Sequence, residues 1–254
     1  MVKTVNICDV PVSSVNIPQA CGIVERWIRE RKKAYVCIAP VSTIVESQSD
    51  AEYRKVLEGA DMVTPDGMPL VWTAKLMGDK NIRRTYGPDL MLALCAAGRD
   101  KGYRHYLYGG TESTCSLLEN VLKTRFPGII ISGRYAPPLM GTHDREDDEV
   151  IREINRSAPD ILWVGLGSPK QDYWMVQHRS RLDVPVMIGV GAAFDFLAGT
   201  KRQAPRWMRD AGMEWFFRLC SEPKRLWKRY LIGNTMFVYL LIRHLIKIRF
   251  GEKG

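Results

Sequence analysis

A chain of 254 residues with 46% apolar and 26% charged residues has the material for a full core and a globular composition, which argues against a disordered or low-complexity class. Its net charge of +9 is confined to one end: residues 1 to 200 hold 24 Lys and Arg against 24 Asp and Glu, and residues 201 to 254 hold 13 against 4. Six scattered cysteines, without C-x-x-C or His-paired spacing, indicate neither a zinc site nor a disulfide framework and fit a reduced, cytoplasmic setting.

In chain order, residues 4 to 8 read as a strand, with no basic stretch and apolar run before them, so no cleavable signal peptide is expected. A helix is expected at 19 to 32 and a strand at 35 to 39. A short apolar run then leads through Thr64, Pro65, Asp66 and Gly67 into an amphipathic helix, placing Asp66 at a strand-to-helix turn. A carboxylate there caps the helix or serves as a general base at the rim of a sheet. Arg83 and Arg84 precede the next expected helix, 88 to 100, where a guanidinium could grip a diphosphate with two parallel hydrogen bonds.

Strands follow at 104 to 108, 129 to 132, 161 to 165 and 186 to 190, alternating with helices at 112 to 125, 145 to 157 and 170 to 181. The alternation predicts an α/β fold, a Rossmann-like, mostly parallel sheet with helices on both faces, whose chemistry belongs in the loops after the strands. Two such loops hold glycines: Gly109 and Gly110 after one strand, Gly167 and Ser168 after another. Gly167, Ser168 and Pro169 read as a turn, a cap and a first helical residue that offer backbone N–H groups to a phosphate, with Lys170 and Gln171 at the same edge. Ordinary tight turns explain the same glycines. The acidic run at 144 to 149 reads as the first turn of a helix. Asp195, among Phe and Ala at a strand end, needs a partner, either a sugar hydroxyl or a protein N–H.

Near Thr200 the strand-like runs stop. We place a boundary there, with a catalytic domain at 1 to 200 and a helical, basic and aromatic appendage at 201 to 254. Cations interleaved with Trp, Tyr and Phe suit an anionic membrane interface. The apolar stretch 236 to 242 ends at Arg243, short of the roughly 20 residues that span a bilayer, so the tail is expected to lie on a membrane. A nucleic-acid surface is the weaker reading, and no nucleic acid is assigned as a partner. There is no Walker A loop, no G-x-G-x-x-G with a downstream acid and no G-x-S-x-G elbow.

Five segments taken in order, Thr-Pro-Asp-Gly at 64 to 67, Arg-Thr-Tyr-Gly-Pro-Asp at 84 to 89, Gly-Ser-Pro-Lys-Gln at 167 to 171, Gly-Ala-Ala-Phe-Asp-Phe-Leu-Ala-Gly at 191 to 199 and Ala-Pro-Arg-Trp-Met at 204 to 208, resemble the WecG/TagA/CpsF family of glycosyltransferases. The resemblance implies inverting, metal-independent transfer from a UDP-sugar to a polyprenyl-diphosphate-linked saccharide, with no cofactor beyond the donor, at the inner face of a bacterial cell membrane. It makes Asp66 the general base and places Arg84, Gln171 and Asp195 in the site. It assigns Arg218, Arg225 and Lys228 to the lipid-linked diphosphate, with Lys228 standing where the family has an arginine and Arg229 beside it as a substitute. The family's Thr-x-Asn element is replaced by Ala39, Pro40 and Val41. A binding module that keeps the fold without turnover is the alternative, and the donor sugar and homo-oligomerisation stay open. Residues after 200 are expected to complete the catalytic site, and Arg243, Lys247 and Arg249 to touch the bilayer.

Overall fold

A computed structural model describes residues 2–138 and 144–250. The chain begins with β1 (Thr4–Ile7), β2 (Val10–Ser13), α1 (Ile17–Arg29), β3 (Ala34–Ala39), α2 (Val41–Ser49), α3 (Ala51–Glu58), β4 (Met62–Pro65) and α4 (Met68–Leu76). Next come α5 (Gly87–Arg99), β5 (Arg104–Gly109), α6 (Glu112–Arg125), β6 (Ile130–Tyr135), α7 (Asp144–Ser157), β7 (Ile161–Gly165), α8 (Lys170–His178), β8 (Val186–Gly189) and α9 (Ala193–Ala198). The tail holds α10 (Arg206–Asp210), α11 (Glu214–Ser221), α12 (Pro223–Trp227), a π-helical turn (Lys228–Ile232) and α13 (Gly233–Phe250). These elements fall into two compact units, the first made of Met1–Asn16, Ala39–Arg84 and Gln203–Gly254, the second of Ile17–Ile38 and Thr85–Arg202.

The second unit holds the parallel sheet that the alternating pattern predicts, with strands in the order β3-β8-β7-β5-β6. All six positions of β3 and all four of β8 are buried, as expected of strands covered on both faces. The α6 helix starts where Thr111 caps it, its Oγ1 accepting from the Thr114 N–H at 3.1 Å. The acidic run does open α7, which begins at Asp144.

The first unit differs from expectation at its start. Residues 4 to 8 do not join the parallel sheet; β1 pairs antiparallel with β2, Val5 opposite Val12. Cys8 and Asp9, both left-handed at φ 50° and 64°, make the two-residue turn, a conformation usually signalled by Asn or Gly. The β4 strand is held to the hairpin by the Val63 N–H, which donates to Ser13 Oγ at 3.0 Å. The tail differs too. The helical run Pro223–Phe250 spans 28 residues and is long and apolar enough to cross a membrane by length and composition alone. Arg243 does not end the segment as expected: the helix continues through it and adds Leu245, Ile246 and Ile248. One face of α13, with Phe237 buried, packs on α2; the other leaves Met236, Val238, Tyr239, Ile242 and Ile246 exposed.

Candidate active site

Asp66 follows β4 directly, and its N–H donates to Ala39 O at 3.1 Å. The N-cap of α4 is Gly67, one residue beyond Asp66, so the plain cap position does not belong to the carboxylate. Arg84 fixes this turn from the other side: its Nε donates to Asp66 O at 2.5 Å. The same guanidinium reaches into the tail, with Nη2 on Glu214 Oε2 at 2.5 Å and Nη1 on Arg209 O at 3.3 Å. Both side chains of the ion pair are largely buried, 16% and 13% exposed. Arg84, expected to grip a diphosphate, thus uses three donors within the protein as a staple between the Asp66 turn and α10–α11.

A second cation from the tail reaches the same neighbourhood. Arg229, in the π-helical turn, donates from Nε and Nη2 to Ser42 Oγ at 3.0 and 2.7 Å. Burial lowers its pKa below that of an ordinary arginine; Tyr230, Asp66 and Glu46 push it back up, and Arg218 pushes it further down. Burial raises the Tyr230 pKa, while Arg218 and Arg229 draw it down. Burial also raises Glu46 above the usual carboxylate range, with Arg229 opposing. Asp66, Glu46, Tyr230, Arg218 and Arg229 are thus linked electrostatically, Asp66 acting on Arg229 and Tyr230, and Arg218 on the same two groups.

The other expected tail cations lie elsewhere. Lys228 stands 5.6 Å over the ring of Trp227, and Arg225 closes on Glu222 at 2.6 Å, both on the surface. Of the adjacent cations at 228 and 229, Arg229 is the one turned inward. Ser42 and Glu214 were missed by the sequence reading. Glu214 lies in the Glu-Trp-Phe-Phe-Arg stretch one helical turn before Arg218, an i,i+4 pair that was the available signal.

In the second unit, Gly109 is at φ +129°, and a Cβ there would meet the Gly165 carbonyl carbon at 2.6 Å. Close approach of β5 to β7 accounts for it. Gly110 donates to Gly165 O at 3.2 Å. The turn after β7 departs from the expected capped helix start: α8 begins at Lys170, and its N-cap is Pro169 rather than Ser168. The N–H groups of Gln171, Asp172 and Tyr173 donate to Gly167 O, Pro169 O and Pro169 O. That of Gly167 goes to the buried Gln171 side chain, Oε1 accepting at 3.1 Å, while Gln171 Nε2 donates to Ser168 Oγ at 3.2 Å. Gln171 therefore shapes its own loop, and within this turn the N–H groups of Gly167 and Gln171 have protein acceptors. Lys170 is exposed at the helix start. The partner sought by Asp195 is internal as well: Lys201 Nζ at 2.6 Å and Thr200 Oγ1 at 3.1 Å.

The family model described as "Glycosyl transferase WecG/TagA/CpsF family" matches residues 5–250. Among curated proteins, the chain is similar to an N-acetylglucosaminyldiphosphoundecaprenol N-acetyl-beta-D-mannosaminyltransferase of Bacillus spizizenii, 29% identical over 86% of this chain and 82% of that protein. It is similar to proteins of the same name in Bacillus subtilis, at 27% identity over 90% and 88% of the two chains, and in Staphylococcus aureus, at 27% over 78% and 75%.

Proposed function

The chain belongs to the WecG/TagA/CpsF family of glycosyltransferases, and from that premise we propose that it moves an N-acetylhexosaminyl group from a UDP-sugar to a saccharide on polyprenyl diphosphate. The names of the relatives in Bacillus and Staphylococcus make N-acetylmannosamine the first donor to test and a lipid-linked N-acetylglucosamine the first acceptor. The observation that carries the reading is the Arg84 staple, which fixes Asp66 at the end of β4 against the tail.

In this reading the Asp66 carboxylate takes the proton of the acceptor hydroxyl as that oxygen bonds to the anomeric carbon. The bond from that carbon to the UDP oxygen breaks, the electron pair leaves with UDP, and the configuration inverts. Arg218 and Arg229 supply the positive potential that diphosphate oxygens need, preorganised at the site. No step calls on a metal ion or a further cofactor. The exposed apolar face of the Pro223–Phe250 helix, with Arg243, Lys247 and Arg249, rests on the inner face of the cell membrane, where the acceptor is anchored.

The test is UDP release from a panel of UDP-N-acetylhexosamines by the protein reconstituted in vesicles with lipid-diphosphate-linked N-acetylglucosamine. Wild type turns over one of them, and Asp66→Asn slows transfer by about 100- to 10,000-fold at unchanged circular dichroism. Full activity in Asp66→Asn removes Asp66 from the base role, and no UDP release from any donor favours a binding module.

A further inference from the structure

The C-terminal helix is not the first unit's only outward apolar surface. The α4 helix, which opens two residues after Asp66, exposes Trp72 at 50% and Leu76 at 70%. These two are four residues apart and share one face of the helix. Lys75 is exposed beside them, and Lys80 is exposed in the loop that follows. No Asp or Glu occurs in α4, and Asp79, the acid in that loop, is buried and paired with Lys3 at 3.2 Å. Gly212 braces the Trp72 ring, since a Cβ there would stand 2.8 Å from its Cη2. Met213 next to that glycine and Phe216 one turn along α11 are exposed as well, so the apolar strip runs on from Leu76 and Trp72 into the tail.

Single exposed apolar residues are ordinary, but a Trp and a Leu on one helix face, with lysines and no carboxylate, form a pattern with a physical use. We propose that α4, with the Gly212 turn behind it, is a second bilayer contact. Lys75 and Lys80 meet anionic phospholipid headgroups, and Trp72 and Leu76 enter the boundary between headgroup and acyl chain. A second copy of this chain is the poorer occupant, because a two-fold contact on this face brings lysines from both copies together on a protein of net charge +9. The proposal rests on the reading that the acceptor is lipid-borne, and it adds a geometric consequence. The helix that begins beside Asp66 lies along the membrane, so the base stands near the depth of an acceptor diphosphate.

Full-length wild type, Lys75→Glu and Leu76→Ser are sedimented with vesicles of phosphatidylcholine alone and of equimolar phosphatidylglycerol and phosphatidylcholine. Each variant is expected to bind the anionic vesicles on the order of tenfold more weakly than wild type, with transfer to a detergent-dispersed, short-chain acceptor unchanged. Binding equal to wild type in both variants overturns the proposal, as does a wild type that ignores anionic vesicles. Light scattering without lipid covers the remaining occupant: a change of oligomeric state in Leu76→Ser with vesicle binding intact makes the strip a contact between copies and also overturns it. A wild type that binds anionic vesicles but releases no UDP overturns the transfer reading alone and leaves the bilayer contact standing.

Discussion

Replacing Glu214 by Ala removes the carboxylate that Arg84 Nη2 meets at 2.5 Å and leaves a largely buried guanidinium without that counter-charge, beside the carbonyl oxygens of Asp66 and Arg209. Breaking a buried ion pair by deleting one partner costs about 3 to 5 kcal/mol, because the surviving charge stays desolvated. With both side chains at 13% to 16% exposure, water relieves part of that, and we take about 2 kcal/mol. For a chain of this size a loss of about 2 kcal/mol lowers the melting temperature by about 4 to 8 °C. Glu214→Gln keeps a hydrogen-bond acceptor and loses the charge, so it falls between wild type and Ala. Thermal unfolding followed by circular dichroism measures the shift, and transfer measured well below the melt separates stability from activity. The kcat falls in Glu214→Ala while KM for the donor moves little, because the Asp66 turn loses its fixed position. A Glu214→Ala protein that melts within about 1 °C of wild type and transfers at the same rate refutes the staple as described.

The tail cations sort by their orientation. Arg229→Ala lowers transfer by on the order of 100-fold, as loss of a preorganised charge does, while Lys228→Ala, whose ammonium lies over Trp227, costs far less; the reverse order in a rate assay sinks the assignment of Arg229. A pH effect comes from the second unit. His105 is fully buried with Nδ1 accepting from Trp163 Nε1 at 3.1 Å, and burial lowers its pKa from 6.5 to about 4. Below pH 6.5 the unfolded chain takes up a proton that the folded chain refuses, so stability falls as pH drops from about 6.5 to about 4, by about 3 kcal/mol in all. His105→Gln flattens that part of a melting-temperature profile, and an equally steep profile in the variant contradicts the assignment.

The parallel strands were legible because β3, β7 and β8 are short apolar runs between turn signals, and a strand buried on both faces needs little more. The β1–β2 hairpin was not legible, since Cys8 and Asp9 adopt a left-handed turn without the residues that announce one. The α2 and α3 helices were also unannounced: Pro40 and Asp50 bound two short helices whose apolar positions are too few to set a period. At the site, Asp66 could be found from its strand-to-helix turn, but its supports could not. Arg84 and Glu214 are 130 residues apart, and Arg229 and Ser42 are 187 apart. The partner of Gln171 is local and was not foreseen, because a side chain that can reach a ligand can equally reach its own loop; that of Asp195 is the protein donor left open beside a sugar hydroxyl.

The division of the chain has a bearing on how the protein is made. The second unit lies within residues 17 to 202, so all of it has been synthesised before the tail begins. The first unit is assembled from three separated stretches, the last starting at Gln203, and the Glu214 and Arg229 contacts to the Asp66 region wait for that stretch to leave the ribosome. The proposed base is therefore secured among the last events of folding. A chain interrupted anywhere before residue 214 carries Asp66 without either contact and without the Pro223–Phe250 helix.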